Sequence, residues 1–188
     1  MTISAIIIDI LFIICLTSSV MPRALGLVTD EDKSYQKYLV PLLFGISQGV
    51  LAVIGYNLGR LISHLFVYIA RYMVFAMMLV IAIKMFLDSM KMLKGKMLFT
   101  VNNNKEILLL TVLAAINTLL MSLFGPCFMP FGNWFFVVVL VAGFLWAFFT
   151  VRIPFKPEMI KKGSFVAFSA SVFMLIIAIL YMFTNLIA

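Results

Sequence analysis

Residues 39–59 run the length of a membrane span without one charged side chain. A stretch of that kind crosses the hydrocarbon core as one α-helix, because about 20 residues rising 1.5 Å each cover roughly 30 Å. The pattern recurs along the chain. Residues 3–20, 72–90, 107–124, 134–151 and 163–186 are similarly apolar. Six such spans and their short connections use up the 188 residues, which leaves no room for a separate soluble domain. With 65% hydrophobic and 11% charged residues and a mean hydropathy of +1.20, the composition lies outside that of soluble domains. The expected fold is an all-α integral membrane protein of six transmembrane helices, in one domain over residues 1–188.

The second span has a patterned face. Gly45, Gln48, Gly49, Ala52, Gly55 and Gly59 recur at spacings of three and four residues, so a helix carries them on one broad side. Leu, Val and Ile fill the other side. Small residues let helix backbones approach closely in lipid, and Gly45/Gly49 and Gly55/Gly59 both have the G-x-x-x-G spacing of such interfaces. Gln48 is the amide on this small face. In hydrocarbon it needs another helix, a water or a bound solute as partner.

Charge sets the expected topology. The first, third and fifth connections carry Arg23, Lys33 and Lys37; Lys91, Lys94, Lys96 and Lys105; and Arg152, Lys156, Lys161 and Lys162. The second and fourth carry only Arg60 and Arg71 between them. Eleven basic residues against two place the odd connections in the cytoplasm and both termini outside. The same distribution explains the net charge of +7 without nucleic acid. The N-terminus lacks a basic region and Asp9 interrupts its apolar stretch, so it reads as the first span and not as a signal peptide. Cys15 and Cys127 fall toward opposite faces and are expected to be free thiols.

The lysine-rich third connection divides the chain into residues 1–95 and 105–188. Three spans per half means the halves run in opposite senses, which is the plan of two inverted three-helix repeats found in many secondary transporters. The clusters Thr17-Ser18-Ser19 in span 1 and Asn117-Thr118 in span 4 are a weak internal echo.

Each intramembrane polar residue has two readings. Gln48, Asn117, Thr118, Thr17 and Ser19 offer oxygens to an ion or solute; alternatively they bond across helices or to their own backbone. Lys84 and Asp88 lie at i and i+4 and would form a structural ion pair or a gate. Asp9 is either a proton or cation site facing the bundle or an interfacial residue. His64 has no Cys or His neighbour with which to hold a metal. Trp134 and Tyr181 fit interfacial belts. No nucleophile–base pair, phosphate-binding glycine loop or C-x-x-C is present, so nothing points to an enzyme or a cofactor.

Leu42 to Gly59 resembles the second helix of the MntP-type manganese exporters, small six-span proteins of the bacterial inner membrane. Phe44, Gly45, Ile54, Gly55 and Gly59 match that helix in spacing, and Gln48 stands where the family has Glu. Lys84 and Asp88 fill the family's basic–acidic pair at the end of the third helix. The family's S-x-D-A motif in the first helix falls with its serine on Thr17 and its aspartate on Ser19. The repeat of that motif in the fourth helix falls on Thr118 and Leu120. The resemblance implies a multi-pass exporter of Mn²⁺ with no resident cofactor. It also marks a departure, since Ser19, Gln48 and Leu120 replace three intramembrane acids. Mn²⁺ prefers oxygen ligands, carboxylates among them. The departure therefore leaves two expectations. One is an exporter of Mn²⁺ or another cation, working through neutral oxygens. The other is a transport-inactive subunit or scaffold that docks a membrane-protein partner or a second copy through its packing faces.

Overall fold

The computed structural model describes residues 3–25, 27–28, 36–65, 68–94, 99–100, 104–128, 134–152 and 157–187. These form helices α1 (Ile3–Thr17), α2 (Val20–Leu25), α3 (Gln36–Ile62), α4 (Ala70–Leu93), α5 (Asn104–Leu123), α6 (Gly125–Phe128), α7 (Trp134–Val151) and α8 (Pro157–Ile187). Among the described residues five helices, α3, α4, α5, α7 and α8, are long and apolar enough to cross a membrane. A shorter apolar stretch, Ile10–Ala24, runs through α1 and α2. Helices are the outcome such a sequence allows, because in hydrocarbon each backbone N–H and C=O must find its partner within the segment.

The N-terminal apolar segment, expected from sequence as the first span, is shorter than the other five and is broken. Its hydroxyls compete with the helix: Thr17 Oγ1 donates to the Ile13 carbonyl at 2.8 Å and Ser18 Oγ to that of Cys15 at 2.7 Å. Pro22 has no N–H to give the Ser18 carbonyl and crowds it, so that carbonyl accepts from Met21 N instead, at 2.9 Å. The helix therefore ends at Thr17 and restarts at Val20. The sequence places the break at Met21-Pro22-Arg23. It falls one turn earlier because proline disturbs the carbonyl four residues before it.

Helix α3 packs chiefly against α5 and α7, and α4 against α8. The glycine face of α3 serves two neighbours. A Cβ at Gly45 would lie 2.9 Å from Phe144 Cβ and one at Gly49 3.0 Å from Leu140 Cδ1, both on α7. A Cβ at Gly55 would lie 2.5 Å from the Leu119 carbonyl oxygen of α5, and one at Gly59 would collide with that of Leu123. Leu42, Ile46, Val50, Val53, Ile54 and Leu58 occupy the outer side of α3 and are exposed.

The contacts fix relative directions. Gly45 meets Phe144 while Gly49 meets Leu140, so α3 and α7 are antiparallel. Phe86 contacts Phe168 and Ser164 bonds the Ser89 carbonyl, so α4 and α8 are antiparallel too. Leu27-Val28 pairs in parallel with Phe99-Thr100, which brings the first and third connections to one face of the bundle. Arg152, at the end of α7, lies 3.8 Å from the Phe148 ring centroid and 5.7 Å from that of Tyr38 at the start of α3. The fifth connection thus begins on that same face.

Two apolar cores fill the interior. One gathers Phe12, Leu16, Ala52, Val74, Met78, Ile81, Met121 and Val139. The other gathers Val20, Ala24, Val40, Phe44, Ile107, Leu110, Ala114 and Ala147.

Candidate functional site: a polar layer between two apolar cores

Four helices change core along their length, and each carries its polar or small residues at the change. In the first span Leu16 belongs to one core and Val20 to the other, with Thr17, Ser18 and Ser19 between. In α3 Gln48 lies between Phe44 and Ala52; in α5 Asn117 and Thr118 lie between Ala114 and Met121. In α7 Gly143 lies between Val139 and Ala147. Thr17, Ser18, Ser19, Gln48, Asn117 and Thr118 are all buried. A polar layer therefore crosses the bundle at one level.

Helix α5 is the hub of this layer. Thr118 Oγ1 donates to Gln48 Oε1, which links α5 to α3. The adjacent Asn117 turns the other way, and its Oδ1 accepts from Lys84 Nζ of α4 at 2.7 Å. Gln48 fits because Gly143 faces it: a Cβ at Gly143 would lie 2.8 Å from Gln48 Cγ. Gln48 Nε2 and Asn117 Nδ2 are buried without a partner in the structure, as are Ser19 Oγ and Ser122 Oγ. Buried amide N–H groups left in this state cost free energy unless a water or solute completes them.

Beside this lies an ion pair. Arg23 Nη2 meets Asp88 Oδ2 at 3.0 Å, with both residues buried. Arg23 Nη1 reaches the Ser19 carbonyl at 3.3 Å, at the break in the first span. The i, i+4 pair of Lys84 with Asp88 is thus not closed. Asp88 takes the guanidinium, which offers several donors and satisfies the broken backbone as well, and Lys84 turns to Asn117. Arg23 is accordingly an interior charge and not a connection charge, which leaves ten basic residues in the odd connections against two in the even ones. Lys84, Arg23 and Asp88 together carry one excess positive charge.

The other sequence candidates fall as follows. Thr17 Oγ1 bonds its own helix, at Ile13 and Ile14. Leu120 is half-buried against the first core. His64 is exposed in the turn Ser63–Leu65, and Trp134 is exposed at the start of α7. Cys15 is a buried free thiol. The side chains of Asp9 and Cys127 lie outside the described residues. Among the described residues no group of three His, Cys, Asp or Glu side chains could hold a metal ion. A groove of about 350 Å³ between α3 and α7, beside Gly49 and Leu140, is lined by apolar groups alone and offers an ion nothing to bind.

Sequence reasoning missed Arg23, Ser122 and Gly143. Pro22-Arg23 reads as a span end, and neither Ser122 nor Gly143 is singled out. The four-residue spacing of Val139, Gly143 and Ala147 is the signal that would have placed Gly143 on an inward face.

A helical bundle of this hydropathy with a buried polar layer and interior charges defines a multi-pass membrane protein. The family model described as "Mntp: Putative manganese efflux pump" matches residues 32–152. The chain belongs to that family, whose description is that of an efflux pump and not of an enzyme. The matched region holds Gln48, Lys84, Asp88, Asn117 and Thr118, whereas the broken first span precedes it. Neither a curated protein nor a solved structure matches the chain significantly.

Proposed function

We propose that this chain is a secondary carrier that exports a divalent cation, Mn²⁺ by family, through the polar layer at Gln48, Thr118, Asn117 and Ser19, with Thr17 and Asp9 as further oxygen donors. The observation that carries the reading is the layer itself. Fully buried amides whose unspent N–H groups can donate to water and whose oxygens can turn from Thr118 and Lys84 to a cation, set between two apolar cores of a lipid-bounded bundle, suit a place that water and cargo enter in turn. The broken first span, with Ser19 at the break, fits the discontinuous helices that line carrier sites.

The reading includes one domain over residues 1–188, made of two inverted three-helix halves. The antiparallel pairing of α3 with α7 and of α4 with α8 supports it, because each pair joins the corresponding helix of each half. The chain would lie in a bacterial inner membrane, with the basic connections in the cytoplasm and both termini outside.

A second reading has an observation of its own. One buried and one half-buried cation against one carboxylate disfavour a dication. A transport-inactive subunit, docking a membrane partner or a second copy, would tolerate that balance. Cell manganese measured under manganese stress, in a strain lacking its own exporter, separates the two. The carrier lowers cell manganese and restores growth, and Gln48→Ala or Ser19→Ala abolishes this while the protein stays in the membrane. Unchanged manganese with the protein inserted, or an effect sensitive only to Gly49→Leu and Gly55→Leu, refutes the carrier reading.

A further inference from the structure

We propose that the ammonium of Lys84 is a tethered cation seated on the oxygen that the cargo needs, so that Lys84 sets how tightly this carrier holds its ion. The proposal rests on the carrier reading of the same layer and gives one residue a specific part in it.

The orientation of Asn117 carries the inference. An ammonium only donates hydrogen bonds, so the Asn117 group 2.7 Å from Lys84 Nζ is its carbonyl oxygen. The amide nitrogen must point elsewhere, and it is buried without a partner. No such constraint holds for Gln48, whose neighbour Thr118 can donate or accept. A metal ion can use only the oxygen of Asn117. That oxygen is occupied by a positive charge belonging to the protein itself.

The surroundings keep Lys84 there. Asp88, the nearest carboxylate on its own helix, is closed by Arg23 from α2. At the level of Lys84, α5 supplies Asn117, and the charged Lys105 and Glu106 lie at its exposed start. On α8, Lys161 and Lys162 are exposed beyond Ser164, which sits beside Ser89, more than a turn further along α4. Among the described residues, Asn117 is the partner to which Lys84 donates. A dication reaching the layer must share that oxygen with the ammonium or displace it, and in either case overcome its repulsion. The swing of one flexible side chain is enough. An ion bound against a resident competitor is also readily released.

The test is Mn²⁺ binding by the purified full-length protein in detergent, measured calorimetrically for the wild type, Lys84→Met and Lys84→Arg. Lys84→Met removes both the charge and the donor and should tighten Mn²⁺ about tenfold or more. Lys84→Arg keeps both and should stay within about threefold of the wild type. Lys84→Gln is the second neutral variant, used if Lys84→Met is not monodisperse, and it too must bind more tightly than the wild type. Peptide-resolved acetylation gives an independent readout. Saturating Mn²⁺ should raise labelling of Lys84 at least about twofold and leave the exposed Lys91 and Lys94 unchanged.

If the wild type binds Mn²⁺ but the neutral variants bind no more tightly, or Lys84→Arg tightens as much as they do, the tethered-cation role is overturned and the carrier reading stands. If neither the wild type nor any neutral variant binds Mn²⁺, the carrier reading fails and this proposal fails with it.

Discussion

Alanine at Gly55 sets a methyl group against the backbone of α5. Its Cβ would lie 2.5 Å from the Leu119 carbonyl oxygen and 3.0 Å from Ser122 Cβ, whereas ordinary contact begins at 3.4 Å. A carbonyl oxygen moves only with its helix. The two helices must therefore part by about 0.9 Å, which forfeits a quarter to a half of the dispersion energy of the contacts that open. Overpacking of this kind costs about 1–3 kcal/mol. The better helix propensity of alanine returns about 0.8–1 kcal/mol. The net loss is roughly 0–2 kcal/mol. Gly49 is the control on the same face. Its Cβ would meet the Leu140 side chain, at 3.0 Å from Cδ1, which can change rotamer, and at 3.1 Å from the Leu140 Cβ, which asks the helices to give by only about 0.3 Å. Gly49→Ala should be neutral or slightly stabilising. The propensity gain is common to both variants, so thermal unfolding in one detergent should differ by the overpacking cost alone, about 2–12 °C, with Gly55→Ala the lower. Equal melting temperatures, or a higher one for Gly55→Ala, would refute the assignment of the two glycine pairs to different neighbours.

Other outcomes follow from the same contacts. Arg23→Met leaves Asp88 buried without its counter-charge and should destabilise by about 3–5 kcal/mol, and the double variant Arg23→Met/Asp88→Leu should melt higher than Arg23→Met alone. Thr118→Val deprives Gln48 Oε1 of its donor and should cost roughly 0.6–2 kcal/mol in the same melting assay. Gln48→Glu places a carboxylate in the polar layer, offsets the excess positive charge and should lower the Mn²⁺ concentration for half-maximal transport about tenfold or more.

Hydropathy made the spans legible, because lipid leaves the backbone few alternatives to a helix. The span over residues 134–151 has the bounds of α7 itself. Periodicity put Gly45, Gln48, Gly49 and Gly55 on one face of span 2. It could not show that the first glycine pair meets α7 and the second α5, since spacing along one helix does not name its neighbours. Lys84 and Asp88 show the limit more sharply. Their i, i+4 spacing offers a local pair, and tertiary structure overrides it. The break at Ser18-Ser19 brings Arg23 inward to Asp88, and α5 brings Asn117 to Lys84. Neither approach has a counterpart in local sequence. Arg23 was hidden for a related reason. A basic residue after a proline at the end of an apolar run reads as a topology signal, whereas here the run continues inward as a second short helix.

Mn²⁺ flux into vesicles is the most direct measurement. The purified chain would be reconstituted alone into liposomes loaded with a Mn²⁺-quenched dye, with insertion checked by protease accessibility. Saturable quenching on addition of Mn²⁺, lost in Gln48→Ala reconstituted to the same density, is the result predicted for a carrier with its path through the polar layer. Wild-type vesicles no faster than protein-free ones, with the protein shown to be inserted and folded, would contradict it.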